Sequence, residues 1–311
     1  MEPEMTRVTR TEEGRWRVRA CAKLNLGLRV FPARPDGFHD LETWMVPISW
    51  HDTLWVDPSP TALTLEITGR SAGVPVEIDK NLVGRAAVKL AAAAGVEARG
   101  RITLHKVLPP GGGIGGGSSD AAGALAALNA AWGLNWGAAR LEAVAGELGS
   151  DVPFFVAARP SLCTGRGEIM RPMPPAEPLF AVLVIPPRGC PTKEVYQAFD
   201  AGHQHRPARE RTNWERCAFA RAEELDGMLV NDLEPAAFAV APWLAELRRQ
   251  VEKVVGRSVH MTGSGSTLFV LCGSGAQAGE IAGRLGGAIA DCGCVAAEVL
   301  RQGAGREVAG L

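Results

Sequence analysis

Residues 109–122 read PPGGGIGGGSSDAA: six glycines, then two hydroxyls and an acid, where an alanine-rich segment begins. Without a Cβ, such a loop lets bare backbone N–H groups approach an anion, and a helix N-terminus behind it adds about half a positive charge. Phosphate is the ligand that this combination suits. A merely flexible turn is the plain alternative, but each glycine loses roughly 0.5–1 kcal/mol relative to alanine on folding, which weighs against six of them without a purpose. Gly111, Gly113 and Gly116 formally satisfy G-x-G-x-x-G, yet two prolines spoil the tight strand-to-helix turn and no acid follows about 20 residues on. A Walker A loop needs Lys then Ser or Thr after its last glycine, whereas Gly117 leads straight to Ser118. Dinucleotide and P-loop classes are thereby set aside.

Working outward, Arg101–Val107 alternates apolar and polar residues as a strand does, and Ser119–Trp132 before Gly133 reads as a helix with Ser118 as its N-cap. The order is strand, glycine loop, helix. Upstream, residues 15–31 alternate at period two, and Leu41–Val56 is a second β-like run broken by Pro47 and Asp52. Ala62–Ile67 and Val74–Ile78 add shorter strands, and Asn81–Gly95 is a helix closed by glycine. Downstream, a helix spans Ala138–Leu148, and the proline-rich stretch Arg171–Pro178 is the most linker-like segment, so domains are expected over 1–170 and 171–311. Beyond it come a buried strand at Leu179–Ile185, a polar, partly helical excursion at 203–225 with His203 and His205, an amphipathic helix at Trp243–Val255, a hairpin around Gly263–Ser266 and a last helix–strand pair.

The 311 residues suit two domains, and 46% hydrophobic with 22% charged residues suits a globular α/β enzyme. Thirty-three Lys and Arg against 34 Asp and Glu leave no field that would gather nucleic acid or an anionic membrane, so any phosphate site is local. Seven scattered cysteines read as reduced thiols rather than a zinc site. With neither a signal peptide nor a run of about 20 apolar residues, a cytoplasmic protein is expected, as a monomer or weak homodimer.

The glycine loop, AKLNLGLRVFPARPDGFHDLET (22–43), LGSDVPFFV (148–156) and MTGSGSTLF (261–269) together resemble the GHMP kinase superfamily, in the family's order and over most of the chain. The resemblance implies an α+β fold of two domains: an N-terminal α/β domain with a left-handed βαβ crossover and a C-terminal ferredoxin-like domain, with the active site between them. ATP and Mg2+ are the implied cofactors, with no residue assigned to the metal. The implied substrate is a small molecule carrying a cytidine diphosphate group, phosphorylated on a tertiary alcohol in the non-mevalonate route to isoprenoid precursors. Homoserine- or mevalonate-type kinases are the rival reading, and a non-catalytic nucleotide-binding regulator a lesser one.

Residue by residue, the resemblance assigns Asp151 as the catalytic aspartate and Lys23 as its partner. Such a pair is chemically sensible: the cation keeps the carboxylate ionised and oriented while it accepts the hydroxyl proton. The nucleotide is expected on Lys106, Pro109, Gly111, Gly112, Gly113, Ile114, Gly115, Gly116, Gly117, Ser118, Ser119 and Asp120. Asn25, on the same strand face as Lys23, would bond the acceptor or its phosphates. His39 would read the cytosine edge, with Phe38, where the family commonly has tyrosine, and Tyr196 as its aromatic neighbours, and Thr192 beside them. Standing alone, Asp151 would read as a helix cap, His39 as an ordinary surface or core residue and Lys106 as a solvent-facing strand residue.

Overall fold

The computed structural model describes residues 8–203 and 212–301. His205 therefore lies outside the described residues. Two sheets build the molecule. The first contains β1 (Thr9–Arg10), β2 (Trp16–Ala33), β3 (His39–Asp57), β4 (Leu63–Gly69), β5 (Gly100–Lys106), β6 (Ser161–Gly165) and β7 (Ile169–Pro172). Its order is β1-β2-β3-β5-β4, with β6 on a further stretch of β3 and β7 on β6. α1 (Leu82–Ala94) connects the parallel pair β4 and β5, giving a βαβ unit. With α2 (Gly116–Ala131), α3 (Ala138–Gly146) and α4 (Val152–Ala157), it closes a core of small and branched residues such as Leu54, Leu90, Ile102 and Leu125.

The second sheet has β8 (Phe180–Ile185), β9 (His260–Met261), β10 (Leu268–Cys272) and β11 (Gly293–Glu298) in the order β11-β8-β10-β9, every pairing antiparallel. Between β8 and β9 run α5 (Thr192–His203), α6 (Trp214–Phe219), α7 (Ala222–Leu225), α8 (Glu234–Val240) and α9 (Pro242–Val255), while α10 (Gly275–Ala288) joins β10 to β11. Strand, helices, two strands, helix, strand in that sheet order is the ferredoxin-like arrangement. The two sheets share a core: Ala22, Leu24 and Trp44 of the first pack with Leu183, Phe269 and Leu271 of the second. Trp44 Nε1 also donates to the Met173 carbonyl across the join at 2.8 Å. β7 reaches Pro172, so a division drawn at 170/171 passes through a strand of the first sheet.

Three local expectations are corrected. β3 runs unbroken through Pro47 and Asp52: Pro47 faces Lys23 beside a register shift in β2, and both Asp52 oxygens are bonded. Val74–Ile78 forms no strand, because it turns beneath α1, where a Cβ on Gly84 would lie 2.3 Å from the Ile78 carbonyl oxygen. The helix after the glycine loop starts at Gly116 with Gly115 as N-cap, so Ser118 is inside the first turn and does not cap it. Among the described residues no helix is long and apolar enough to cross a membrane, and all seven cysteines are unpaired.

Candidate active site

Two strands of sequence logic meet at the glycine loop. Lys23, on β2, donates its backbone N–H to the Ile114 carbonyl at 3.0 Å, stitching the strand to the loop. Gly113 and Gly115 have φ of +74°, a region that side chains avoid. A Cβ on Gly113 would lie 2.8 Å from the carbonyl oxygens of Thr262 and Gly265, and one on Gly115 would lie 2.6 Å from the Phe155 ring. Glycine is thus required where the loop passes between the β9–β10 turn and α4.

On one side of the loop lies a cavity of about 970 Å³. Lys23 and Asp151 line it, as do Asn25, Phe38, His39, Thr192 and Tyr196, so every residue expected to be catalytic or to touch the acceptor faces one space. On the other side, a cavity of about 390 Å³ is lined by Lys106, Pro109, Gly111 to Ser118 and Asp120. Ser119, also expected to touch the nucleotide, is buried and does not line it. Gly113, Gly115 and Ser118 face both cavities, which therefore meet across the loop.

Burial lowers the affinity of Lys23 for its proton, and the nearby charge of Asp151 opposes that in part. Its Nζ donates to Asn25 Oδ1 at 2.5 Å, and Asn25 Nδ2 donates to Thr43 Oγ1 at 2.8 Å. The Asn25 amide is thus engaged in holding the ammonium. Asp151 sits at the N-cap position of α4 but its side chain makes no capping bond, leaving the carboxylate free toward the cavity. That separates it from an ordinary cap. Cys163, buried beside the pair, stays a thiol, its pKa pushed up to about 12 by burial and by Asp151.

His39 donates from Nδ1 to the Phe31 carbonyl, 2.8 Å away, which turns Nε2 toward Asp200 Oδ1 at 3.3 Å and the cavity. Its ring lies 5.3 Å from Tyr196 and 5.9 Å from Phe199. Burial and Asp151 push the Tyr196 phenol up to about 12, so it remains protonated. Phe38 is half exposed at the mouth, with the Arg166 guanidinium 4.7 Å over its ring. Thr192 Oγ1 shares a 2.9 Å hydrogen bond with Ser264 Oγ, tying α5 to the β9–β10 turn.

Lys106 is buried rather than solvent-facing. Its ammonium lies 2.5 Å from Asp52 Oδ2 and 2.6 Å from Asp120 Oδ2. Asp52 Oδ1 accepts in turn from Val107 and Leu108 N–H, fixing the approach to the loop. Two buried carboxylates around one cation leave an excess negative charge. Burial pushes the Asp120 carboxyl up to about 8, and the nearby charges of Asp120 and Asp52 favour the ammonium form of Lys106. Asp120 Oδ1 and Ser119 Oγ remain buried without a partner. The sequence analysis gave no site role to Asp52, Thr43 or Thr262, because each acts on a residue far away in the chain.

Comparison with known proteins gives the family. The GHMP kinases N terminal domain model matches residues 81–159 and the GHMP kinases C terminal model residues 217–290. The 4-diphosphocytidyl-2-C-methyl-D-erythritol kinase of Pelotomaculum thermopropionicum is 39% identical over 266 residues, covering 85% of this chain and 92% of that protein. That of Salinispora arenicola is 39% identical over 279 residues, covering 88% of each. Among solved structures, a 4-(cytidine 5'-diphospho)-2C-methyl-D-erythritol kinase superposes with a TM-score of 0.75 at 35% identity, over 93% of this chain and 100% of that one. Homoserine kinase from Cytophaga hutchinsonii shares the fold at a TM-score of 0.69, 16% identity and coverage of 95% and 98%.

Proposed function

This chain belongs to the GHMP kinases, among the 4-diphosphocytidyl-2-C-methyl-D-erythritol kinases, and from that premise we propose that it transfers the γ-phosphoryl group of ATP to the 2-hydroxyl of 4-diphosphocytidyl-2-C-methyl-D-erythritol. The products are the 2-phosphate and ADP. The observation that carries the reading is the meeting of two cavities across one glycine loop, with Lys23 and Asp151 on the larger side. A donor in the smaller cavity and an alcohol in the larger one face each other over Gly113, Gly115 and Ser118.

The backbone N–H groups of residues 111–117, at the start of α2, cradle the phosphates. In the larger cavity, Asp151 accepts the proton of the acceptor hydroxyl as its oxygen bonds to the γ-phosphorus and the bond to ADP breaks. A loose transition state asks for little early deprotonation, so an ordinary carboxylate suffices when it is well placed. Lys23, held by Asn25, places a positive charge near that carboxylate and offsets charge on the transferring group. His39 meets the cytosine edge, flanked by the rings of Phe38 and Tyr196, which stack without needing a phenolic hydroxyl. Arg166 over the Phe38 ring stiffens that side of the mouth.

Mg2+ fits the residues present: Asp120 Oδ1 and Ser119 Oγ are buried oxygens with no partner, the donor type a hard cation takes. When bound, the metal neutralises the charge on the β- and γ-phosphates.

The experiment is ADP release with this cytidylylated alcohol as the only acceptor, and with homoserine and mevalonate in parallel. Turnover confined to the first supports the reading. Turnover of homoserine or mevalonate instead would assign the chain to a sister activity.

A further inference from the structure

The segment Asn231-Asp232-Leu233-Glu234, which leads into the first residue of α8, has polar side chains that all reach other elements. Asn231 uses its whole amide: Nδ2 donates to the carbonyls of Met261 and Gly263, both at 2.8 Å, and Oδ1 accepts from Leu233 N–H at 3.0 Å. Asp232 accepts from Val30 N–H and Arg29 Nη1, each at 3.2 Å. Glu234 accepts from Met261 N–H at 2.9 Å and pairs with Arg248 at 3.0 Å. The main chain joins in, with Leu28 N–H donating to Val230 and Asp232 N–H donating to Leu28, at 2.7 and 2.9 Å. One short segment therefore grips β2 with one side and the β9–β10 turn with the other.

Thr262 lies between the two carbonyls that Asn231 holds. Its Oγ1 accepts the Asn25 backbone N–H at 2.9 Å, and Asn25 Oδ1 accepts from Lys23 Nζ at 2.5 Å. The turn also abuts the ammonium directly, since a Cβ on Gly263 would lie 3.7 Å from Lys23 Nζ. We infer that Asn231 is a positioning residue for phosphoryl transfer: by fixing the Met261 and Gly263 carbonyls it holds Thr262 beneath Asn25, and so sets where the Lys23 ammonium stands in the acceptor cavity. Only a primary amide supplies two donors and one acceptor in this space. Aspartate would set a carboxylate against two carbonyls, and serine would leave at least one of them unbonded. The inference rests on the assignment of Lys23 and Asp151 to the transfer step.

The test uses Asn231→Asp, which keeps size and the acceptor for Leu233, with Asn231→Ser as the neutral second variant, and Thr262→Val, Thr262→Ser and the Asn231→Ser/Thr262→Val double variant. Two readouts are taken on the full chain: kcat and KM for both substrates, and the titration of the Lys23 ammonium followed by NMR with isotopically labelled lysine. The expected result is a fall in kcat of about tenfold or more for Asn231→Asp, Asn231→Ser and Thr262→Val, with KM for ATP within about twofold. In Asn231→Asp the deficit narrows as pH falls, because a protonated carboxyl regains one donor. Thr262→Ser restores most of kcat, and the double variant is no worse than the worse single, as members of one network behave. The Lys23 titration shifts in the same sense in Asn231→Ser and Thr262→Val. An unchanged Lys23 titration in both, or kcat losses that multiply in the double variant, would overturn the inference. Should the native protein not phosphorylate the acceptor at all, the functional reading fails, while the Lys23 titration still decides this one.

Discussion

Replacing Gly113 by alanine and, separately, Gly111 by alanine isolates what the glycine loop owes to close approach rather than to backbone freedom. Both residues sit at nearly the same left-handed φ, +74° and +76°. Each substitution therefore pays the same penalty for an L-residue there, about 1–2 kcal/mol. At Gly111 the new methyl meets nothing within 4 Å. At Gly113 it would stand 2.8 Å from two backbone oxygens, Thr262 and Gly265, neither of which can swing aside as a side chain would. Relieving that overlap strains the loop against the β9–β10 turn by roughly a further 1–3 kcal/mol. At about 2 °C per kcal/mol for a chain this long, scaling from entropy per residue, Gly111→Ala should lower Tm by about 2–4 °C and Gly113→Ala by about twice that. The displaced loop also carries Ile114, whose carbonyl fixes Lys23, so kcat of Gly113→Ala should fall about a hundredfold, the order expected for a misplacement near 1 Å. Differential scanning fluorimetry of the apo proteins and steady-state ADP release make the comparison. Equal losses of Tm in the two variants would refute the reasoning, because the contact with the turn would then contribute nothing.

Three further outcomes follow from the site. Asp120 has a folded-state pKa raised to about 8 against an ordinary value near 3.8. Its contribution is thus fully present below about pH 4 and is lost as pH rises toward 8. Asp120→Asn, which cannot ionise, should gain Tm relative to the native protein progressively between pH 5 and pH 9, and a pH-independent difference would count against it. Lys23→Met removes a buried cation that closes no direct ion pair among the described residues. It should abolish most turnover, about a hundredfold or more, while leaving Tm unchanged or higher; a large fall in Tm would mean that Lys23 is structural. His39→Ala should raise KM for the cytidylylated acceptor at least about tenfold with KM for ATP unaltered, measured by varying each substrate in turn.

What the sequence made legible was local chemistry. The glycine run, the alternation of β5, the helix closed by Gly95 and the amphipathic α9 each declare themselves within a dozen residues, and the structure has all of them; β2 is a strand as expected, but it is buried on both faces from Ala20 to Leu28 rather than half-buried. The misreadings share one cause. Pro47 and Asp52 look like strand breakers when only their neighbours are considered. Asp52, however, is satisfied by Lys106, Val107 and Leu108, some 55 residues on, so β3 continues. Ser118 looks like a cap, yet Gly115 in its left-handed conformation starts the helix earlier. The site shows the same division. The resemblance found the residues that face the two cavities. Those that hold them, Thr43, Thr262 and Asn231, carry no pattern of their own, because each bonds a group at least 16 residues away in the chain. Lys106 stands beside the loop, and of the two acids at its ammonium, Asp52 comes from an element 54 residues away that no local pattern joins to it.

The central claim is that the Asp151 carboxylate receives the hydroxyl proton of a cytidylylated alcohol facing ATP across the glycine loop. The direct measurement is ADP release by the native protein and by Asp151→Asn, each with ATP, Mg2+ and 4-diphosphocytidyl-2-C-methyl-D-erythritol as the sole acceptor. The account predicts stoichiometric ADP and 2-phosphate from the native protein, and a rate lower by about 10²–10⁴ from Asp151→Asn with ATP still bound. Native-like turnover by Asp151→Asn, or none by the native protein, would contradict it.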